Sequence, residues 1–186
     1  MNVISLQTRH GRFKVSQLEH DGQQAILIKT ESLSENPFVR IHSSCVFSEA
    51  LHADDCDCAL QLNASLDYIE KHSGVVIYLF QEGRGAGLDL KIKAIELEQR
   101  DNIDTAEAYG QLGLHQDPRT YPAAIKILKD LNLKKITIGT NNPEKIRALE
   151  EAGIEIYKLI DLEIPETQKI KDYRDRKTAA LKHFKR

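Results

Sequence analysis

A chain of 186 residues is long enough to bury a core and fits one domain or a compact two-part unit, and 41% hydrophobic against 29% charged residues excludes a disordered or fibrous polymer. The formal net charge of -2 gives no general attraction to nucleic acid or an anionic membrane, and leaves room for a local basic pocket that takes a phosphorylated small molecule. No window approaches the roughly 20 apolar residues of a membrane span, and Met1-Asn2-Val3-Ile4-Ser5-Leu6 lacks a basic leader, so a cytoplasmic protein is expected.

In chain order, residues 3–18 alternate between apolar and polar and break at His10-Gly11, which predicts two strands joined by a turn. Asp21-Gly22 suits a type I′ turn, whose two central positions need positive φ, so 13–18 and 25–29 are expected to pair as a hairpin. After Pro37, residues 38–42 read as a strand that leads into the cysteine segment. A helix is expected from near Cys58 to Ser73-Gly74, then a buried strand over 75–80, a glycine loop over 81–87 and an amphipathic helix over 88–98 with Leu90, Ile92, Ile95 and Leu97 on its apolar face. Asp104-Thr105-Ala106-Glu107 has the form of a capping box, and Asp117-Pro118 reads as the start of another helix with Ala123, Ala124, Ile127, Leu128 and Leu131 inward. Residues 135–139 form a strand, Asn142-Pro143 caps a helix over 144–152 that closes at Gly153, and 154–159 is the last strand. The expected class is α/β with an α+β tendency: a mixed sheet opened by antiparallel hairpins, continued by α/β units and flanked by helices. A single catalytic domain is expected over 1–160, with a charged tail over 161–186 that is partly helical, its helix falling at 172–183.

All three cysteines, Cys45, Cys56 and Cys58, fall within fourteen residues. An odd count excludes a fully paired disulfide framework, and clustered cysteines in an intracellular composition point to metal or catalysis. Three thiolates suit zinc, with a fourth position left for water; the closed alternative is a Cys3His site completed by His42 or His52. An open site lowers the pKa of a bound water and makes a hydrolytic centre. Gly83-x-Gly85-x-Gly87 after an apolar strand can aim backbone amides at phosphate, with Arg84 as a forked cation, or can simply be a tight turn. It lacks the spacing of the dinucleotide fingerprint, which disfavours NAD.

Together, Arg40-Ile41-His42-Ser43-Ser44-Cys45, Cys56-Asp57-Cys58 with Gln61, Gln81-Glu82-Gly83-Arg84-Gly85-Ala86-Gly87-Leu88, Asp104-Thr105, Gln111-Leu112-Gly113, Asp117-Pro118-Arg119 and Thr140-Asn141-Asn142-Pro143-Glu144-Lys145 resemble GTP cyclohydrolase II in order and nearly in spacing. The resemblance implies zinc on Cys45, Cys56 and Cys58, with attack of its water at C8 of guanine and magnesium on the triphosphate. It also implies nucleotide contacts at Arg40, Ile41, His42, Ser43, Ser44, Gln61, Glu82, Gly83, Arg84, Thr105, Thr140 and Lys145. Asp117 matches the family's proton acceptor and Arg119 an arginine acting at the α-phosphate, where charge stabilisation suits a guanidinium better than covalent attack. The implied products are formate, pyrophosphate and a diaminopyrimidinone ribosyl phosphate on the way to riboflavin, and the resemblance implies a homodimer; at 186 residues no fused second enzyme domain is expected.

Three positions depart from the pattern. Ile95 stands where the family carries a tyrosine, Ser44 where an acidic residue precedes the first cysteine, and Phe80 where an arginine precedes Gln81. Formate release needs a second hydrolysis, so Ile95 is a specificity position: without the hydroxyl the product expected of a paralogue is a formamidopyrimidine nucleotide. An alternative of another class is a non-catalytic nucleotide-binding protein with a structural Cys3His zinc.

Overall fold

A computed structural model of the chain describes residues 2–115, 117–165, 168 and 171. The helix expected over 172–183 lies outside them. Among the described residues the chain forms one mixed sheet of seven strands: β1 (Val3–Thr8), β2 (Gly11–His20), β3 (Gln23–Lys29), β4 (Phe38–Ser43), β5 (Gly74–Leu79), β6 (Lys135–Ile138) and β7 (Glu155–Leu159). Their spatial order is β1-β2-β3-β5-β4-β6-β7. The first three strands are antiparallel neighbours, as the alternating opening predicts, and β3 continues antiparallel onto β5. From there β5, β4, β6 and β7 run parallel. The β2–β3 turn has the expected geometry, with φ of 49° at Asp21 and 70° at Gly22.

Among the described residues six helices accompany the sheet: α1 (Val46–Glu49), α2 (Cys58–His72), α3 (Leu88–Asp101), α4 (Thr105–Gln111), α5 (Pro122–Asp130) and α6 (Pro143–Glu151). No helix among the described residues is long and apolar enough to cross a membrane. Residues two apart on a strand share a face, so β4 and β5 divide their side chains between two cores. Val39, Ile41, Val75, Ile77 and Leu79 meet Ala123, Ala124, Ile127 and Leu128 of α5 and Leu149 of α6. A nine-residue helix is marginal alone in water, so this apolar stripe is what holds α5 in place. On the opposite face Phe13, Phe38 and Val76 pack on Ile69 of α2. Arg40 and His42 belong to that second face and are buried there, which is unusual for a central strand.

Gly139, just past β6, is required by contact rather than by φ. A Cβ there would lie 2.6 Å from Phe38 Cζ, a distance real Cβ atoms do not adopt.

Four local expectations change. Asp117-Pro118 does not start a helix: α5 begins at Pro122 with Tyr121 as N-cap, and the Asp117 carboxylate is taken by Arg119 instead. The buried strand ends at Leu79, and Phe80 is 53% exposed. The buried side of α3 is Ala94, packed on Ala108 and Tyr109 of α4, whereas Ile92 faces solvent. The short helix α1 was not anticipated, since four residues carry no periodic signal. Asp104 and Asn142 do cap α4 and α6, accepting from the amides of Glu107 and Glu144.

Candidate metal and nucleotide site

Central β4 lies between β5 and β6 and runs parallel to both, so three loops leave the sheet at the same carboxyl edge. Open α/β sheets place ligands in the crevice at such an edge. The loop after β4 carries Ser44 and Cys45, that after β5 carries Gln81 to Arg84, and that after β6 carries Gly139 to Asn142.

Cys45 is the N-cap of α1, and Asp57, the N-cap of α2, lies between Cys56 and Cys58. Two helix starts thus bring the three sulfurs within 4.8 Å of one another. Cys45 Sγ and Cys56 Sγ are 3.8 Å apart. Two sulfurs each about 2.3 Å from a tetrahedral ion stand about 3.8 Å apart, so this spacing fits thiolate ligation of one metal. Among the described residues neither His42 nor His52 joins the group. Hydrogen bonds from Cys56 and then Cys58 pull the Cys45 pKa far down, and sharing protons with Cys45 pushes the other two thiols up.

Glu49 anchors the first cysteine. One of its oxygens accepts from the Cys45 backbone N–H at 3.1 Å and lies 2.9 Å from His42 Nε2, and the other accepts from the Tyr78 hydroxyl at 2.6 Å. Burial lowers the His42 pKa, leaving the ring neutral; a carboxylate only accepts, so the proton belongs on Nε2 and buried Nδ1 is left without a partner. Burial first, then Glu49, raises the Tyr78 pKa.

On the other side of Cys45, Lys91 Nζ lies 3.2 Å from its sulfur and 2.6 Å from Glu82 Oε1. Burial works against this ammonium, but the Glu82 hydrogen bond and the Cys45 charge lift its pKa above the usual lysine value. Glu82 Oε2 accepts from the Val46 amide at 2.8 Å. The glycine loop over Glu82–Gly85 is a tight turn kinked out of regular helix by left-handed backbone at Gly83 (φ 57°) and Arg84 (φ 54°). Arg84 lies over the Tyr109 ring, whose hydroxyl donates to Gly83 O at 2.9 Å.

These elements enclose a cavity of about 530 Å³. Of the residues singled out in the sequence, Ser43, Ser44, Cys45, Cys56 and Cys58 line it, as do Glu82, Gly83, Arg84, Ile95, Thr105 and Arg119. Asp117 stands behind Arg119, holding its guanidinium in a two-pronged ion pair with both side chains nearly buried. Burial alone would raise the Asp117 pKa, and Arg119 more than reverses this, so the carboxyl is held below its usual range.

The remaining residues do not line this cavity. Arg40 donates to Gly139 O at 2.6 Å and to the Gln61 side chain, Lys145 donates to Ile41 O at 2.7 Å, and Thr140 Oγ1 accepts from the Asn142 amide. They tie β4 to α2, to the loop after β6 and to α6, and His42 ties it to Glu49 of α1. The sequence reading missed Glu49 and Lys91. Glu49 follows Cys45 by four residues, the spacing that lets a side chain reach back to a helix start, and Lys91 carries no such signal.

The sequence profile of GTP cyclohydrolase II matches residues 2–161. The chain belongs to the GTP cyclohydrolase II family. A riboflavin biosynthesis protein RibBA of Staphylococcus epidermidis is 40% identical over 166 residues, 89% of this chain and 42% of its own length. A GTP cyclohydrolase-2 of Psychromonas ingrahamii is 44% identical over 132 residues, 71% of this chain and 66% of its own. This family member thus spans less than half the length of the RibBA relative. A solved RibBX, a two-domain 3,4-dihydroxy-2-butanone 4-phosphate synthase from A. baumannii, overlaps at a TM-score of 0.47 and 15% identity over 86% of this chain and 39% of that one.

Proposed function

We propose that the chain opens the imidazole ring of GTP at C8 by hydrolysis, releasing formate and pyrophosphate and leaving 2,5-diamino-6-ribosylamino-4(3H)-pyrimidinone 5′-phosphate on the way to riboflavin. The observation that carries the reading is one cavity lined by three clustered cysteine sulfurs and by two arginines, Arg84 and Arg119. Cys45, Cys56 and Cys58 would hold zinc, which when bound lowers the pKa of water and supplies a nucleophile near neutral pH. Magnesium accompanies the triphosphate.

Arg84 and Arg119 supply permanently charged donors for phosphate oxygens, and Ser43, Ser44, Gly83 and Thr105 line the same cavity. The ion pair with Asp117 favours the protonated guanidinium of Arg119, so its role is to stabilise phosphate charge. Asp117, kept anionic, is an acceptor for a proton once substrate draws Arg119 toward phosphate. Arg40, His42, Gln61, Thr140 and Lys145 contribute by holding the loop after β4 and the loop after β6 against the sheet. Incubating zinc-loaded protein with GTP and magnesium, and following ultraviolet absorbance and formate, tests the reading; unchanged GTP overturns it.

A second reading is favoured by one observation: Ile95 turns an aliphatic side chain into the cavity wall. With no hydroxyl there, hydrolysis stops at the formamidopyrimidine nucleotide. Mass spectrometry of the product separates the two readings, since retained formyl carbon supports the second and stoichiometric formate removes it.

A further inference from the structure

Lys91 is a lysine placed where a cation would ordinarily be repelled, against a group of atoms suited to hold another cation. It sits in the first turn of α3, and its side chain is 17% exposed. Nζ reaches Cys45 Sγ at 3.2 Å and Glu82 Oε1 at 2.6 Å, and lies 4.5 Å from the centre of the Phe47 ring. Glu82 in turn grips the start of α1 through the Val46 amide. These bonds close a loop of contacts from the Cys45 turn through Glu82 and Lys91 back to the Cys45 sulfur. Gly83 lets the loop approach this closely, because a Cβ there would stand 3.0 Å from Lys91 Cβ.

We propose that Lys91 is a positioning residue of the metal centre: its ammonium donates to the Cys45 thiolate, fixes the direction of that ligand and offsets the negative charge that three thiolates leave around a divalent ion. The inference rests on the three cysteines holding a metal. Three thiolates and a divalent cation carry about -1 together, and a neighbouring ammonium brings the sum near zero in a partly desolvated site. The hydrogen bond also withdraws electron density from one sulfur, so it marks the ligand field as well as the affinity. Outer partners of metal ligands are worth about 10- to 100-fold in metal affinity or activity. Because Glu82 holds Lys91, the same contacts keep Arg84 in fixed register with the cysteines.

The test uses Co2+ as a spectroscopic probe in the full chain, with chelator competition for affinity and circular dichroism to establish folding. Wild type binds one Co2+ and shows a thiolate-to-cobalt charge-transfer band. Folded Lys91→Met binds Co2+ about 10- to 100-fold more weakly, with the band moved to longer wavelength because the sulfur has lost its donor. Lys91→Arg, which keeps charge and donor, recovers most of the affinity and the band; should Lys91→Met not fold, Lys91→Ala, which likewise has no donor, is read in its place. A folded neutral variant with affinity within about twofold of wild type and an unmoved band overturns the proposal, given the outer-partner effect expected. Failure of wild type to bind Co2+ at all removes the three-cysteine metal reading itself, and the two failures are thereby told apart.

Discussion

Glu49 carries a prediction that can be worked from its contacts. Its side chain is 14% exposed and takes three donors: the Cys45 amide, the Tyr78 hydroxyl and His42 Nε2–H. Truncating Glu49→Ala leaves all three without an acceptor in a site with little access to water. Each stranded buried donor costs about 1–3 kcal/mol, and the partial opening on one side puts the expected total near 3–6 kcal/mol, a large share of the roughly 5–15 kcal/mol that stabilises a domain. Glu49→Gln keeps one oxygen and loses the charge, for about 1–2 kcal/mol, and Tyr78→Phe removes one bond, for about 1 kcal/mol. Urea unfolding in the presence of chelator reads these values without interference from metal, with the slope m unchanged if the folded state keeps its extent. Tyr78→Phe combined with Glu49→Ala costs less than the sum of the two, because they share a bond. A loss under about 1 kcal/mol for Glu49→Ala, or strict additivity with Tyr78→Phe, would show that the carboxylate does not organise this corner.

Two further predictions follow from packing and charge. Gly139→Ala drives a methyl into the Phe38 ring and displaces the carbonyl that Arg40 uses, so it destabilises by about 1–3 kcal/mol in urea unfolding; a neutral or stabilising effect refutes the close-approach reading. Asp117 has its folded pKa depressed below 3.8, so its contribution to stability is present above that value and is lost as pH falls through the folded one. Asp117→Asn should therefore lose less stability than wild type between pH 4 and lower values, when the two are compared by thermal unfolding, and parallel acid profiles would count against the Arg119 pairing. In the product assay, Ile95→Tyr should raise the fraction of formate released if the unsubstituted chain retains the formyl group, and an unchanged fraction separates Ile95 from that step.

Much of the site was legible because its parts are close in sequence. Cys45, Cys56 and Cys58 reveal themselves by number and spacing, and the two helix starts that present them need only local backbone geometry. The β2–β3 turn and the Asp104 and Asn142 caps are equally local, since each is a side chain or glycine acting within two or three residues of itself. Asp117-Pro118 shows the limit of that reasoning. Its residues favour a helix start, but the Arg119 guanidinium two positions away offers a stronger partner than a backbone amide, and the chain runs on to Pro122 before it turns. The apolar face of α3 misled for a related reason: the space left between α3 and α4 suits Ala94, and Ile92 is left outside.

What the sequence by itself determined is the chemistry at hand: a trio of sulfurs, a glycine loop with an arginine, an α/β chain opened by antiparallel strands. The tertiary structure alone decided which of these meet. By setting β4 between β5 and β6, the sheet brings three loops to one edge, places Arg84 and Arg119 on the same cavity as the cysteines, and draws Arg40 and Lys145 into the supports beneath. Glu49 and Lys91 acquire their roles only there, because a charged residue signals its partner through distance in space, which residue spacing along a strand or helix does not record.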